Sequence, residues 1–252
     1  GFNKHPPASA FFVEVFYQVF NSQDWAYYLL SQIFVVISFY FVFKLSNEIL
    51  KDPELSLISV LLLESIFFYN FTTPEFNVNI CQLPFWSAVV YYSWKIFYNE
   101  KIEFKDCFFV GFFASIGFLS KYLFIYLIIS ISFLFIYFIF FKKKMKFDFK
   151  YIIIFEIFIV LLVPHLIWLN DNNYITITYG LKRSGIDDVS LIDHIRYPLI
   201  FIGKQFGILI PFFVLCFLLL KKIKFKLKFK NNKIIFFIFI NFLPIFLMLM
   251  TS

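Results

Sequence analysis

Lys121 lies between two apolar runs, 108–119 and 123–141. A lysine at mid-bilayer costs about 2.5–3.5 kcal/mol on insertion scales, so its side chain must reach an interface or a partner. At an interface the ammonium group suits an anionic lipid headgroup or a phosphate leaving group, in a charge-assisted contact of about 1.5–3 kcal/mol. The alternative is an anchor that snorkels to the interface and performs no chemistry.

A second polar group opens an apolar run at Pro74-Glu75-Phe76-Asn77-Val78-Asn79. Glu75, with the amides of Asn77 and Asn79, is suited to holding a hydrophilic substrate, and its carboxylate could orient or deprotonate an acceptor. Asn77 and Asn79 are two residues apart and point to different sides of a helix, so at most one shares a pocket with Glu75. Alternatively, the segment is a helix start with a favourable acid.

Two further segments carry residues of the same kind. His5-Pro6-Pro7 is a stiff, extended turn that fixes the direction of His5, for substrate binding or simply as a rigid loop. The loop 170–196 mixes charges and contains Asp171, a candidate substrate ligand, and Arg183, which could clamp a phosphate in bidentate fashion. A solvated polar loop is the alternative. The spacing of the three histidines gives no support to a metal site.

The composition indicates the elements that position these residues. The 252 residues include 43 Phe, 15 Tyr and 4 Trp, and 61% are apolar whereas only 15% are charged. Soluble domains are about one quarter charged, so a soluble enzyme, a disordered chain and a disulfide scaffold are excluded. Long apolar runs predict an all-α, polytopic transmembrane helix bundle. About eight spans are predicted, at 27–44, 55–71, 78–98, 107–120, 122–141, 151–169, 197–220 and 234–250.

The domain organisation follows from these spans. We expect residues 1–252 to form a single transmembrane domain of a longer protein, truncated at both ends. Residues 1–26 would be an outer loop with an interfacial amphipathic helix at 8–20, and 27–250 would hold the spans. Glu64 lies mid-span and is expected to pack against a polar neighbour.

The basic residues predict the orientation of the spans. The loops 44–54, 95–105, 142–150 and 221–233 carry 17 of the 23 Lys and Arg residues. Short basic loops are cytoplasmic, so the start of the chain and the loops 72–77, 120–122 and 170–196 would face outward. The varied polar residues therefore converge on one membrane surface. The positive charge serves orientation in this scheme, and no nucleic-acid partner is expected.

Four segments in order resemble the glycosyltransferase family 39 group, which contains the protein O-mannosyltransferases and the bacterial aminoarabinose transferases. The segments are His5-Pro6-Pro7, 74–79, 117–122 and 164–172. The resemblance implies a C-type membrane fold and transfer of a sugar, with inversion, from a polyprenyl-phosphate donor to a lipid or protein acceptor. The active face would be the extracytoplasmic side of the cell (inner) membrane.

The resemblance also implies roles for single residues. By this resemblance Lys121 and Arg183 would bind the donor phosphate. From their own chemistry, His5, Asn77, Asn79 and Asp171 are expected to bind substrate, and Glu75 is expected to take a catalytic part. The main catalytic Asp would lie in an outer loop upstream of Gly1. The sequence predicts no particular cofactor, and a bound divalent metal ion stays an open alternative. Two other functions stay open: a transporter or lipid flippase, for which Glu64 is the candidate, and a scaffold, which predicts outward loops that do not meet.

Overall fold

The computed structural model describes residues 4–99, 101–143, 145–183, 192–220 and 232–250, without the side chains of Asn70, Arg183, His194, Ile195 and Leu220. All regular elements in these ranges are helical, which confirms the all-α prediction. They are α1 (Ala8–Phe20), α2 (Asp24–Leu50), α3 (Pro53–Glu64), α4 (Phe67–Phe71), α5 (Val78–Tyr98), α6 (Phe104–Ser120), α7 (Ile125–Ile136), α8 (Lys150–Asp171), α9 (Ile175–Arg183), α10 (Asp193–Ile208), α11 (Ile210–Leu220) and α12 (Asn232–Met250). A 3₁₀ turn, Tyr122–Phe124, precedes α7, and a π turn, Tyr137–Phe141, follows it.

The number of spans differs from the predicted eight. Within the described ranges, four helical segments are long and apolar enough to cross a membrane: α2, Tyr122–Phe141, α8 and α12. The α10–α11 pair makes a fifth if it is one span, bent by 50°. The predicted span 55–71 is broken after Glu64, because α3 has 12 residues and α4 only 5. The count of eight is therefore not confirmed.

Helix α5 lies at the centre of the bundle. It packs against α2 on one side and α6 on the other, and α6 packs in turn against α8. Eleven side chains of α5 are buried, among them Ala88, Ser93 and Trp94. A helix enclosed by protein can carry more polar residues than one that faces lipid, which explains why α5 is less apolar than α7, α8 and α12.

Helices α6 and α8 come into close contact at Gly111. A Cβ atom placed there would lie 2.6 Å from the carbonyl oxygen of Ile154 in α8. Small residues let helix backbones approach closely, so Gly111 sets the distance between these two helices. This crossing fixes α8 beside α6, and α8 carries His165 and Trp168.

The α5–α6 pair carries polar contacts at both of its ends. At one end Lys95 forms a 3.0 Å ion pair with Asp106, whose side chain is only 1% exposed. Close by, the hydrogen bond from Lys105 lowers the pKa of Glu103. At the opposite end Lys121 meets Asn79. Because α5 and α6 are antiparallel, Asn79 and Lys121 lie at one end of the pair, and Lys95 and Lys105 lie at the other.

Candidate functional site

Lys121 lies at the point where α6 ends. The helix stops at Ser120, and Lys121 is extended (φ −160°) before the 3₁₀ turn begins at Tyr122. The Lys121 side chain is half-buried, and its Nζ donates a 2.6 Å hydrogen bond to Oδ1 of Asn79 in α5. The cation is therefore held in place between two helices, whereas a snorkelling anchor would extend into solvent.

The start of α5 positions Asn79. The side-chain oxygen of Asn77 accepts hydrogen bonds from the backbone N–H groups of Asn79 (2.9 Å) and Ile80 (3.3 Å), so Asn77 is the N-cap of α5. One turn into the helix, the thiol of Cys81 donates to Oγ of Ser120 at 3.2 Å. These contacts fix the first turn of α5 against the last turn of α6.

The loop before α5 is attached to α2. The carbonyl oxygen of Thr73 accepts a hydrogen bond from the hydroxyl of Ser31 and another, at 3.4 Å, from the amide of Gln32. Ser31 and Thr73 are both buried, so these bonds satisfy polar groups that would otherwise cost free energy. The loop 72–77 is thereby held at the same end of the bundle as Lys121.

A second polar network begins at the next residue, Tyr122. Its hydroxyl lies 2.9 Å from Nε2 of His165 in α8 and 2.6 Å from Oγ1 of Thr176 in α9. His165 is 7% exposed and Thr176 is 1% exposed. Side chains of α8 and α9 thus meet the hydroxyl of Tyr122, which lies 43 and 54 residues before them, and the His165 ring is held in a fixed orientation.

A cleft of about 290 Å³ opens beside this network. Its walls come from the N-terminal segment, the end of α6 and the second half of α8, and comprise His5, Pro7, Leu119, Leu161, Pro164, His165 and Trp168. The lining is mainly apolar and aromatic with two imidazoles, a composition typical of small-ligand sites. Lys4 packs over the ring of Tyr179 in α9 at 5.8 Å, which brings the N-terminal segment against α9.

Comparison with known proteins gives one family. The model of the dolichyl-phosphate-mannose-protein mannosyltransferase family matches residues 4–168. The match covers more than half of the chain and includes Asn79, Lys121, His165 and Trp168. The chain belongs to this mannosyltransferase family. No curated protein and no solved structure gives a significant match.

Membership of the mannosyltransferase family confirms the suspected relationship to glycosyltransferase family 39 and makes the chain a membrane glycosyltransferase of the mannosyltransferase type. The family match ends at Trp168, and therefore Thr176 and Arg183 lie beyond it. Asn79, Lys121, Tyr122 and His165 lie within it. In this structure the ammonium group of Lys121 is held at a helix end, next to an aromatic cleft.

The other predicted site residues are more scattered. Glu75 is exposed, and its backbone oxygen accepts a 3.2 Å hydrogen bond from the Asn77 amide. Asp171 is exposed at the last position of α8. His5 lines the cleft. The side chain of Arg183 lies outside the described residues, so its predicted phosphate contact stays a prediction.

Sequence reasoning assigned no individual role to four residues that the structure brings together: Tyr122, His165, Trp168 and Thr176. Two signals were present in the sequence. His165 is an ionisable residue inside an apolar run, which by default marks a functional position. Tyr122 directly follows Lys121 and carries a polar tip that needs a partner when buried. Thr176 gave no such signal, because it lies among the polar residues of the 170–196 loop.

A metal site would need several His, Cys, Asp or Glu side chains close together. Within the parts of the chain that the structure describes, no group of three or more such side chains could hold a metal ion. The side chain of His194 lies outside those parts, so the three-histidine arrangement is not tested.

Proposed function

We propose that the chain is the membrane domain of an enzyme that transfers a sugar from a polyprenyl-phosphate donor to a lipid or protein acceptor at the extracytoplasmic membrane surface. The observation that carries this proposal is the fixed ammonium group of Lys121, hydrogen-bonded to Asn79 within the family-matched region. The donor phosphate would bind to this group.

The location of Lys121 suits the charge that develops during transfer. A lipid-linked donor confines the reacting bond to the headgroup plane, and Lys121 lies at the end of α6, where the helix meets that plane in the predicted topology. When the sugar leaves, negative charge grows on the phosphate. A cation that is already oriented stabilises this charge without reorganisation, and such electrostatic stabilisation usually lowers the activation barrier more than any other single effect.

The neighbourhood of Lys121 also supports an enzyme over a scaffold. A scaffold predicts polar outward loops that stay apart. Instead, Asn79 contacts Lys121, and Tyr122 contacts both His165 and Thr176. Contacts between residues 42 to 54 positions apart in sequence bring three predicted outward segments into one cluster.

Glu75 has a less central part in the proposal. Its carboxylate is exposed two residues before the cap of α5, on the same loop that α2 holds in place. From this loop it could orient an acceptor group that approaches from the aqueous side. Asp171, at the end of α8, is the corresponding acid on the other outward loop.

The test is Lys121→Ala in the full-length protein, assayed with a purified polyprenyl-phosphate-linked sugar. Loss of a charge-assisted contact of about 1.5–3 kcal/mol predicts a decrease in kcat/KM of about 10- to 150-fold. Lys121→Arg should retain part of the activity. Lys101→Ala, at an exposed lysine in the α5–α6 connection at the opposite end of those helices, is the matched control and should leave transfer unchanged. Wild-type transfer by Lys121→Ala would reject the phosphate role.

A further inference from the structure

A buried histidine, His165, lines the cleft next to the segment that carries Lys121. Nε2 of His165 is within hydrogen-bond distance of the Tyr122 hydroxyl, and among the described residues Nδ1 has no hydrogen-bond partner. His165 is 7% exposed and lines the cleft. Because the imidazole lines an open cleft, a ligand bound there can supply a hydrogen-bond partner for Nδ1.

A second aromatic ring, that of Trp168, lies on the same wall of the cleft. His165 and Trp168 are three residues apart on α8 and therefore lie on one face of the helix. Their ring planes differ by only 12°, with centroids 5.8 Å apart. Pro7 and Pro164 line the cleft with them. Such a surface fits a ring that is apolar on its face and polar at its edge, which is the character of a pyranose.

The size of the cleft limits its occupant. A volume of about 290 Å³ lies at the lower end of the range of roughly 300–1,000 Å³ that is usual for small-molecule sites. One sugar ring suits such a volume, whereas a long polyprenyl chain would extend far beyond it. The polyprenyl part of a donor would then lie elsewhere, along the helices.

The position of the cleft relative to Lys121 indicates that the cleft would hold the sugar of the donor. Leu119 lines the cleft, Lys121 contacts Asn79, and Tyr122 contacts His165. Residues 119–122 therefore connect the cleft to the ammonium group of Lys121. In a polyprenyl-phosphate donor the sugar is bonded directly to the phosphate, and the two groups must occupy adjacent positions.

We infer that the His165–Trp168 wall of this cleft is the subsite for the donor's sugar ring. Trp168 packs against the face of the ring, and Nδ1 of His165 hydrogen-bonds a hydroxyl at its edge. Tyr122 and Thr176 are positioning residues, since they hold the imidazole and do not touch the sugar. The inference rests on the proposed function, because it takes the phosphate at Lys121 as its reference point.

The experiment compares two ligands on the full-length protein: dolichyl-phosphate-mannose and dolichyl phosphate without sugar. The wild type should bind the sugar-bearing lipid more tightly. Trp168→Ala should weaken binding of that lipid by about threefold to tenfold, as expected for loss of one aromatic contact. Its affinity for the sugar-free lipid should stay within about twofold of the wild-type value. His165→Ala should give the same selective loss of affinity. Tyr122→Phe, which removes only the hydroxyl, should give a smaller loss.

The controls separate this inference from the proposed function. Trp25→Ala removes an exposed tryptophan at the start of α2 and should change neither affinity. Lys121→Ala should weaken both lipids equally, because both carry the phosphate. If Lys121→Ala has that effect and Trp168→Ala does not discriminate between the lipids, the sugar subsite is wrong and the phosphate site stands. Equal binding of both lipids by the wild type would also overturn the subsite. Trp168→Phe keeps a planar ring and serves if the alanine variant does not fold.

Discussion

Asn77 and Asn79 are the same residue type two positions apart, and the structure gives them different partners. Asn77 caps α5 through backbone N–H groups, which is a local interaction. Asn79 accepts a hydrogen bond from Lys121, 42 residues away. At the residue scale, therefore, an amide that stabilises a helix is distinguished from one that orients a cation only by what lies opposite it.

Because of this difference, substitutions at Asn79 should weaken donor binding, whereas a substitution at Asn77 should not. Asn79→Ala should weaken binding of a polyprenyl-phosphate donor by about threefold to tenfold, since Lys121 keeps its charge but loses the hydrogen bond that orients it. Asn79→Asp should weaken binding further, because its carboxylate would neutralise Lys121. Donor affinity of the purified variants is the measurement.

Asn77→Ala is the matched control for the Asn79 variants. It should cost about 1 kcal/mol of stability through loss of the cap and leave donor affinity of the folded protein nearly unchanged. If Asn79→Asp instead binds the donor as well as the wild type, Asn79 does not orient a phosphate-binding lysine.

At the scale of elements, the site depends on how α6 and α8 cross. Lys121 follows the end of α6, whereas His165 and Trp168 belong to α8. Gly111 allows the two backbones to approach so closely that a Cβ atom would collide with a carbonyl oxygen of α8. A backbone atom cannot yield as a flexible side chain can, so a larger residue must push the helices apart.

Gly111→Ala should therefore destabilise the protein by about 1–3 kcal/mol, although alanine favours a helix more than glycine does. Gly203→Ala in α10 is the matched control, because a Cβ there meets nothing within 4 Å. This control should be neutral or stabilise by up to about 1 kcal/mol. Thermal unfolding of the detergent-solubilised variants measures both, and equal melting temperatures would contradict the close crossing.

At the scale of the whole molecule, polar contacts separate into two ends. Asn79, Lys121, Tyr122 and His165 lie at one end of the α5–α6–α8 group, and Lys95, Asp106 and Lys150 lie at the other. Which end faces outward is a prediction from the lysine distribution. The proposed function requires the end with Lys121 to be extracytoplasmic, where the donor headgroup would be presented.

Labelling of single cysteines in intact cells tests this orientation. Cys81 and Cys107 are buried, so Cys216→Ser gives a suitable background. In that background Thr72→Cys should react with a membrane-impermeant maleimide, whereas Lys142→Cys should react only after the cells are permeabilised. Both positions are exposed in the structure. The reverse pattern would place Lys121 on the cytoplasmic side and exclude the proposed donor geometry.

The sequence by itself determined the helical class, the approximate ends of most helices and the choice of Lys121 as a candidate site residue. These properties depend on local physics: apolar runs favour helices in a membrane, and Asn77 and Asp52 cap helices through neighbouring N–H groups. Only the tertiary structure decided that Lys121 meets Asn79, that Tyr122 meets Thr176, and that the run 55–71 is broken. Those outcomes depend on the rotation and crossing of helices that are distant in sequence. Hydropathy records how apolar a helix is, but not whether lipid or protein surrounds it, and for this reason the number of spans was not fixed by the sequence.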